Sequence, residues 1–201
     1  MLEWSYEEYY KEQGKNVICG IDEAGRGPLA GPVVAAACIL PFGYEIPELN
    51  DSKKLSEKKR EKLYSVITEN AVAYSIGYAS NVEIDEINIL NATMLAMKRA
   101  VDGLNITPDV LLVDGNIARG FDIEAYPIIG GDAKSPSIAA ASILAKVTRD
   151  RLCTDYEEKY PQYGFLKHKG YSTKLHMDKV REFGPCEIHR KTFLKFYYEN
   201  R

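Results

Sequence analysis

A chain of 201 residues with 45% hydrophobic and 27% charged side chains is long enough for one sizeable core and short for two full domains. The formal net charge of −3 argues against a non-specific polycationic coat for nucleic acid, and no low-complexity run or internal repeat appears. Four cysteines without CxxC spacing and three histidines without an HExxH frame leave zinc chemistry without support, so the thiols read as core or incidental.

In chain order, Ser5-Tyr6-Glu7-Glu8 has the form of a capping box opening a short helix. Glu3, Glu7, Glu8 and Glu12 are unlike the basic opening of a signal peptide, so a cytoplasmic location is expected. The β-branched run 16–21 predicts a buried strand. The charge-free stretch Gly27–Tyr44 has 18 residues, but Pro28, Pro32 and Pro41 interrupt it. It therefore reads as a turn and a buried strand over 31–40 rather than a membrane span. Ser56 is placed to cap a helix over 56–70, followed by a strand over 71–78 and one or two helices between Val82 and Leu104. Strands at 110–113 and 126–129 each run towards a carboxylate, Asp114 and Asp132. An Ala-rich helix over 137–160 and another over 172–183 complete the pattern. Strands interleaved with helices favour an α/β sheet whose strand ends carry function.

The segment 21–34, Ile-Asp-Glu-Ala-Gly-Arg-Gly-Pro-Leu-Ala-Gly-Pro-Val-Val, sets two carboxylates at the end of an apolar run and follows them with glycines around an arginine. An isolated Asp-Glu pair is ordinarily a strand-end turn with both acids solvated. Adjacent strand residues face opposite ways, so Asp22 and Glu23 can share a site only if the chain leaves strand geometry there, a departure that Gly25, Gly27 and Pro28 can supply. Buried neighbouring carboxylates call for a proton or a cation, and hard oxygen ligands favour Mg²⁺ or Mn²⁺. Acids at strand ends can surround two cations spaced to clamp a scissile phosphate. The segment 130–135 lacks the glycine before lysine of a phosphate loop, which argues against a nucleotide triphosphatase. Eight basic against three acidic residues between Lys167 and Lys195 put that stretch at +5 and the remainder at −8. Such a run is usually a solvated face, but beside a carboxylate site it can hold phosphates.

The segment from Asp22 to Val34 strongly resembles the opening motif of the ribonuclease HII family. Further segments follow in the family's order: Asp51-Ser52-Lys53-Lys54, Asn88-Ile89-Leu90-Asn91, Leu112-Val113-Asp114-Gly115, Gly131-Asp132-Ala133-Lys134-Ser135, the helix from Ala139 to Asp150, His168-Lys169-Gly170-Tyr171 and His189-Arg190. The resemblance implies a ribonuclease H-like fold with a mixed central β-sheet flanked by helices and a helical C-terminal part, as a single catalytic domain over 1–201. An N-terminal helical extension over about 1–14 and a basic substrate-binding segment over about 160–201 complete it. It implies that Asp22, Glu23, Asp114 and Asp132 hold the two cations, one helping to generate the attacking hydroxide and the other stabilising the leaving oxygen. It implies further that Gly25, Arg26, Gly27 and Tyr171 detect the 2′-hydroxyl at an RNA-to-DNA step. Lys53 and Lys134 are candidates for substrate phosphate, whereas Ser142 with Lys146 reads as a cap or packing pair.

The implied activity is endonucleolytic hydrolysis of the RNA strand of RNA/DNA hybrids and incision of duplex DNA 5′ of an embedded ribonucleotide, leaving 3′-hydroxyl and 5′-phosphate ends. Ribonuclease HIII is the close alternative, and the roughly 15 residues before the first strand leave no room for the extra N-terminal domain usual there. A catalytically silent hybrid-binding module is the alternative of another class, and intact acids at all four positions argue against it. The aromatic tail 191–198 loosely resembles a sliding-clamp docking peptide with lysine in place of the leading glutamine; packing onto the domain is the favoured expectation, and the protein is expected to be a monomer.

Overall fold

The computed structural model describes residues 2–199. Five strands form one sheet in the order β3-β2-β1-β4-β5: β1 Ile18–Ala24, β2 Val33–Ile39, β3 Ala73–Ala79, β4 Val110–Asp114 and β5 Ala125–Ile128. β2 runs antiparallel to β1 and β3, whereas β1, β4 and β5 are parallel, which makes the sheet mixed as expected. The helices are α1 Ser5–Glu12, α2 Glu57–Asn70, α3 Asn81–Asp102, α4 Pro136–Lys159, α5 Phe165–His168, α6 Lys174–Phe183 and α7 Lys195–Tyr198. No helix among the described residues is long and apolar enough to cross a membrane.

Alternation along β1 and β2 divides the core. Cys19, Ile21, Val33, Ala35 and Ala37 face α3 through Ala92, Ala96, Met97 and Ala100, while Ala36 and Cys38 face α2 and α4 through Leu63, Ile67, Ala140 and Leu144. The first turns of α4 are buried on every side, from Pro136 to Ala145, which is why that stretch lacks the polar face of a surface helix. Gly20 allows this close approach, because a Cβ there would lie 2.1 Å from the Ser137 carbonyl carbon. A third cluster, with Leu29, Tyr163, Phe165, Val180, Leu194 and Tyr197, joins the helical C-terminal part to the loop after β1.

The expected helices and strands are present with ends shifted by up to three residues, the largest shift being at β1, which runs on to Ala24. Ser56 caps α2 by accepting from the Lys59 amide at 3.4 Å. The capping box at Ser5 does not form: Trp4 is the N-cap, and Ser5 Oγ donates to Glu3 instead. A capping box does form at Ser80 with Glu83, opening α3. That helix is broken at Asn88, whose φ of 66° turns the chain while its Oδ1 accepts from the amides of Leu90 and Asn91 and recaps the second half. α1 is anchored by the buried Glu7, which accepts from Ser135 Oγ at 2.6 Å and the Ser137 amide at 3.2 Å, placing a carboxylate at the N-terminus of α4.

Candidate functional site

β1 continues in register with β2 through Ala24, so Asp22 and Glu23 remain within a regular strand and the chain departs only at Gly25, with φ of +93°. The departure thus falls at Gly25, one of the residues expected to supply it, but beyond the acids, so the expectation that the acids can share a site only by leaving strand geometry is corrected. The pairing of β1 with β4 ends at Ile21 and Val113. Beyond that point Asp22 and Glu23 line an open margin of the sheet, with Asp114 at the tip of β4. Two side chains on opposite faces reach one site because the site lies around the end of the sheet rather than on one side of it.

Asp22 is only 4% exposed, and its Oδ1 accepts from the Glu23 amide at 2.7 Å. Burial, then the charges of Glu23 and Asp114, push its carboxyl well above the ordinary range, while the Glu23 amide and the Ser142 hydroxyl pull the other way. Burial also raises Glu23, with Arg26 opposing through an ion pair at 3.6 Å. Asp132 follows β5 in the 3₁₀ turn Gly131–Ala133. It is raised by burial and by Asp114 and Asp51, against the Lys53 ammonium 3.8 Å away. Burial lowers Lys53, but Asp132, Asp22, Asp51 and Asp114 outweigh it and raise that ammonium. Asp114 Oδ1 accepts from the Gly131 amide at 2.7 Å, which fixes the Asp132 turn against β4.

The structure thus brings the four acids into one electrostatic unit. Among the described residues no three His, Cys, Asp or Glu side chains form a ready-made shell around one ion. That is compatible with hard cations that take one or two carboxylates each and complete their shells with water and substrate oxygens. The donor set, all carboxylate oxygen with mutual repulsion left to neutralise, fits Mg²⁺ or Mn²⁺ and not a soft metal.

A cleft of about 190 Å³ opens beside the acids, lined by Glu23, Gly25, Arg26, Gly27, Lys53 and Tyr171, with Ser52, Ser142 and Lys146 on its floor. Gly27 and Tyr171 are adjacent: a Cβ on Gly27 would lie 3.5 Å from the Tyr171 ring, and that ring is 43% exposed. Ser142 lies within α4 and shares a 2.8 Å hydrogen bond with Ser52, so it packs the floor and caps no helix. Lys134 is not part of the cleft, because its ammonium donates to the Ile129 carbonyl at 2.7 Å. A larger cleft, about 570 Å³, opens between the start of α3 and residues 185–191. Its Asp85 spends both oxygens on Lys191 and Thr192, whereas at the strand ends several buried carboxylates raise one another's pKa.

Sequence reading missed the residue that shapes this cleft. Arg190 is fully buried, and its guanidinium donates to the carbonyls of Gly25 at 2.6 Å, Arg26 at 2.8 Å, Gly31 at 2.9 Å and Pro32 at 3.2 Å. Burial and the neighbouring Arg149 both push its pKa down, and the ring of carbonyl oxygens is what the charge receives in return for lost water. The basic run is therefore mixed in role. Arg190 is internal, Lys169, Lys179 and Arg181 pair with Glu57, Glu182 and Asp178, and Lys167, Lys174, Lys191 and Lys195 are exposed without an ion pair among the described residues. In the closing segment Leu194 and Tyr197 are buried against the domain, the favoured expectation for the tail.

Comparison with known proteins agrees with this arrangement. The family model for ribonuclease HII matches residues 19–200. The ribonuclease HII of Caldanaerobacter subterraneus subsp. tengcongensis is 55% identical over 190 residues, covering 94% of this chain and 79% of that protein. Among solved structures, ribonuclease H2 of Pyrococcus horikoshii superimposes with a TM-score of 0.76 at 27% identity, covering 92% of this chain and 98% of that one. The ribonuclease HII solved with PCNA from Archaeoglobus fulgidus superimposes with a TM-score of 0.75 at 26% identity, covering 88% and 94%. With its mixed sheet in the ribonuclease H-like arrangement and its acids at the strand ends, the chain belongs to the ribonuclease HII family, metal-dependent endoribonucleases of the ribonuclease H2 type.

Proposed function

We propose that this chain incises the RNA strand of RNA/DNA hybrids, and duplex DNA 5′ of an embedded ribonucleotide, by phosphodiester hydrolysis at Asp22, Glu23, Asp114 and Asp132, leaving 3′-hydroxyl and 5′-phosphate ends. The observation that carries this reading is the single electrostatic unit of four acids directly beside the Gly25–Gly27 loop and Tyr171. Bound Mg²⁺ or Mn²⁺ would supply the positive charge that activates water and steadies the leaving oxygen. The chain's own residues do the rest. Asp22 and Asp114 are oriented through the amides of Glu23 and Gly131. Arg26, paired with Glu23, and Lys53, paired with Asp132, meet phosphate oxygens in this reading. The glycine loop and the Tyr171 ring, adjacent in the cleft, meet the ribose at the junction in this reading.

Incubating the protein with an end-labelled duplex carrying one ribonucleotide, with and without each cation, tests the reading: a cut 5′ of the ribonucleotide that requires the cation supports it, and binding without cleavage favours a silent hybrid-binding module. Within that assay, Tyr171→Ala should lower kcat/KM on the single-ribonucleotide duplex more than Tyr171→Phe, since only alanine removes the stacking face, about 1 to 3 kcal/mol. A continuous hybrid, which offers alternative registers, should suffer less. Equal losses on both substrates would remove Tyr171 as a junction sensor.

The four exposed lysines of the basic segment belong to the same reading. Neutralising Lys167 and Lys174 should flatten the dependence of log affinity on log salt by roughly two units, and an unchanged slope assigns them to a solvated face. A cytoplasmic monomer is the form in which we expect the protein to act. The PCNA complex of the Archaeoglobus relative supports a clamp contact through the tail, where Tyr198 is exposed beside the packed Tyr197.

A further inference from the structure

The three histidines form one buried cluster behind Tyr171. The rings of His168 and His176 stack at 4.2 Å with 12° between planes, and Phe165 closes the cluster with its ring 5.4 Å from that of His176. Their backbone partners determine which nitrogen carries each proton. The Cys186 amide donates to His189 Nδ1 at 3.0 Å, so the proton of a neutral His189 is on Nε2. That nitrogen lies 3.1 Å from His176 Nε2, which must accept, and His176 Nδ1 therefore donates to the Tyr171 carbonyl at 3.0 Å. The third ring follows the same logic, since the Gly170 amide donates to His168 Nδ1 at 3.1 Å and His168 Nε2 donates to the Tyr163 carbonyl at 3.0 Å. Each ring has one donor and one acceptor nitrogen in use, and a second proton on His176 or His189 would set two donors face to face.

The chain ends where the substrate contacts begin. His189 precedes Arg190, whose guanidinium holds the carbonyls of Gly25 and Arg26. The Arg190 amide donates to the Leu29 carbonyl at 2.8 Å, and the Leu29 amide donates to the Gly170 carbonyl at 2.8 Å. One dipeptide thus touches both halves of the proposed ribose sensor: Arg190 holds the glycine loop, and His189 reaches Tyr171 through His176.

We propose that His176 and His189 are positioning residues for junction recognition, forming a directional chain of two neutral imidazoles that fixes the Tyr171 backbone against the loop held by Arg190. The proposal rests on the reading of Tyr171 and Gly25-Arg26-Gly27 as the 2′-hydroxyl sensor. It adds that the sensor's selectivity depends on two buried side chains that never touch substrate. Burial holds both rings down at about 4, so the neutral forms that the chain requires persist throughout the working range of a nuclease near neutral pH.

The test is a set of His176 variants assayed on the single-ribonucleotide duplex and on a continuous hybrid. Asparagine places an amide N–H where Nδ1–H stood and keeps the donor to Tyr171; glutamine reaches the Nε2 position and does not; phenylalanine keeps only the shape. His176→Gln and His176→Phe should lower kcat/KM on the single-ribonucleotide duplex roughly three- to tenfold more than on the hybrid, the weight of one hydrogen bond, while His176→Asn, which keeps the donor to Tyr171 and loses only the acceptor for His189, should fall between them and wild type. In a Tyr171→Ala background His176→Phe should leave the ratio unmoved. If Tyr171→Ala shifts the ratio and His176→Phe does not, the positioning role is overturned while the sensor stands. If Tyr171→Ala itself leaves the ratio unchanged, the sensor reading falls and takes this proposal with it. Nitrogen-15 spectra of the wild-type imidazoles give an independent readout: neutral rings protonated on Nδ1 of His176 and Nε2 of His189 support the chain, and any other pair of tautomers overturns it.

Discussion

Replacing Asp22, Asp114 or Asp132 with asparagine should remove most turnover, by on the order of 10³-fold or more, which corresponds to about 4 kcal/mol of barrier. Hybrid binding should survive, because asparagine keeps the shape and keeps the oxygen that accepts from the Glu23 amide at Asp22 or from the Gly131 amide at Asp114. Stability should move in the opposite direction to activity at Asp22. Its folded carboxyl is held above the unfolded value, so between those two pKa values the folded protein binds more protons than the unfolded chain. Stability is therefore lost as pH rises from the unfolded value through the folded one, and the metal-free protein carries that loss at neutral pH. Asp22→Asn removes it. Without cation the variant should melt at or above the wild-type temperature, and added Mg²⁺ or Mn²⁺ should raise its melting temperature less than it raises that of the wild type. Near-normal cleavage with unchanged metal dependence would sink the assignment of Asp22 as a ligand.

How much of this was legible in the sequence depends on distance along the chain. The strand at 16–21, the Ser56 cap and the long Ala-rich helix follow from neighbours within a few residues, and local rules found them. The acids were legible because each stands at or just after the end of an apolar run. Three features were not. Gly25 was legible as a turn residue, but not that β1 stays paired with β2 through Ala24 and keeps both acids within the strand, because no local rule reports how far a partner strand will run. Arg190 lies inside a basic run and is chemically indistinguishable there from a surface arginine; only its pairing with carbonyls some 160 positions earlier makes it internal. His168, His176 and His189 likewise carry no metal frame, and the fold gives them a use that spacing does not encode. The family resemblance placed the His189-Arg190 pair in its motif without saying what either side chain holds.

Arg190→Met should therefore be among the most destabilising single changes in the molecule outside the two sheet cores. Methionine fills much of the volume but donates nothing, which leaves the carbonyls of Gly25, Arg26, Gly31 and Pro32 without their guanidinium partner. An unsatisfied buried acceptor costs about 1 to 3 kcal/mol, and because the loop can relax towards water at Arg26, a total of about 3 to 5 kcal/mol is expected. For a chain of this length that corresponds to a fall in melting temperature of roughly 6 to 20 °C. Arg190→Lys keeps the charge but not the fork, since one ammonium cannot reach carbonyls on two sides of the loop, so it should fall between wild type and methionine. The functional loss should exceed what unfolding explains. Assayed well below its melting temperature, Arg190→Lys should still lose kcat/KM, because Gly25 and Arg26 are released together and Glu23 is two residues from the released loop. Differential scanning calorimetry with paired kinetics separates the two effects. A methionine variant that melts within about 2 °C of wild type would mean the clamp carries no energy, since that interval is worth under about 1 kcal/mol here.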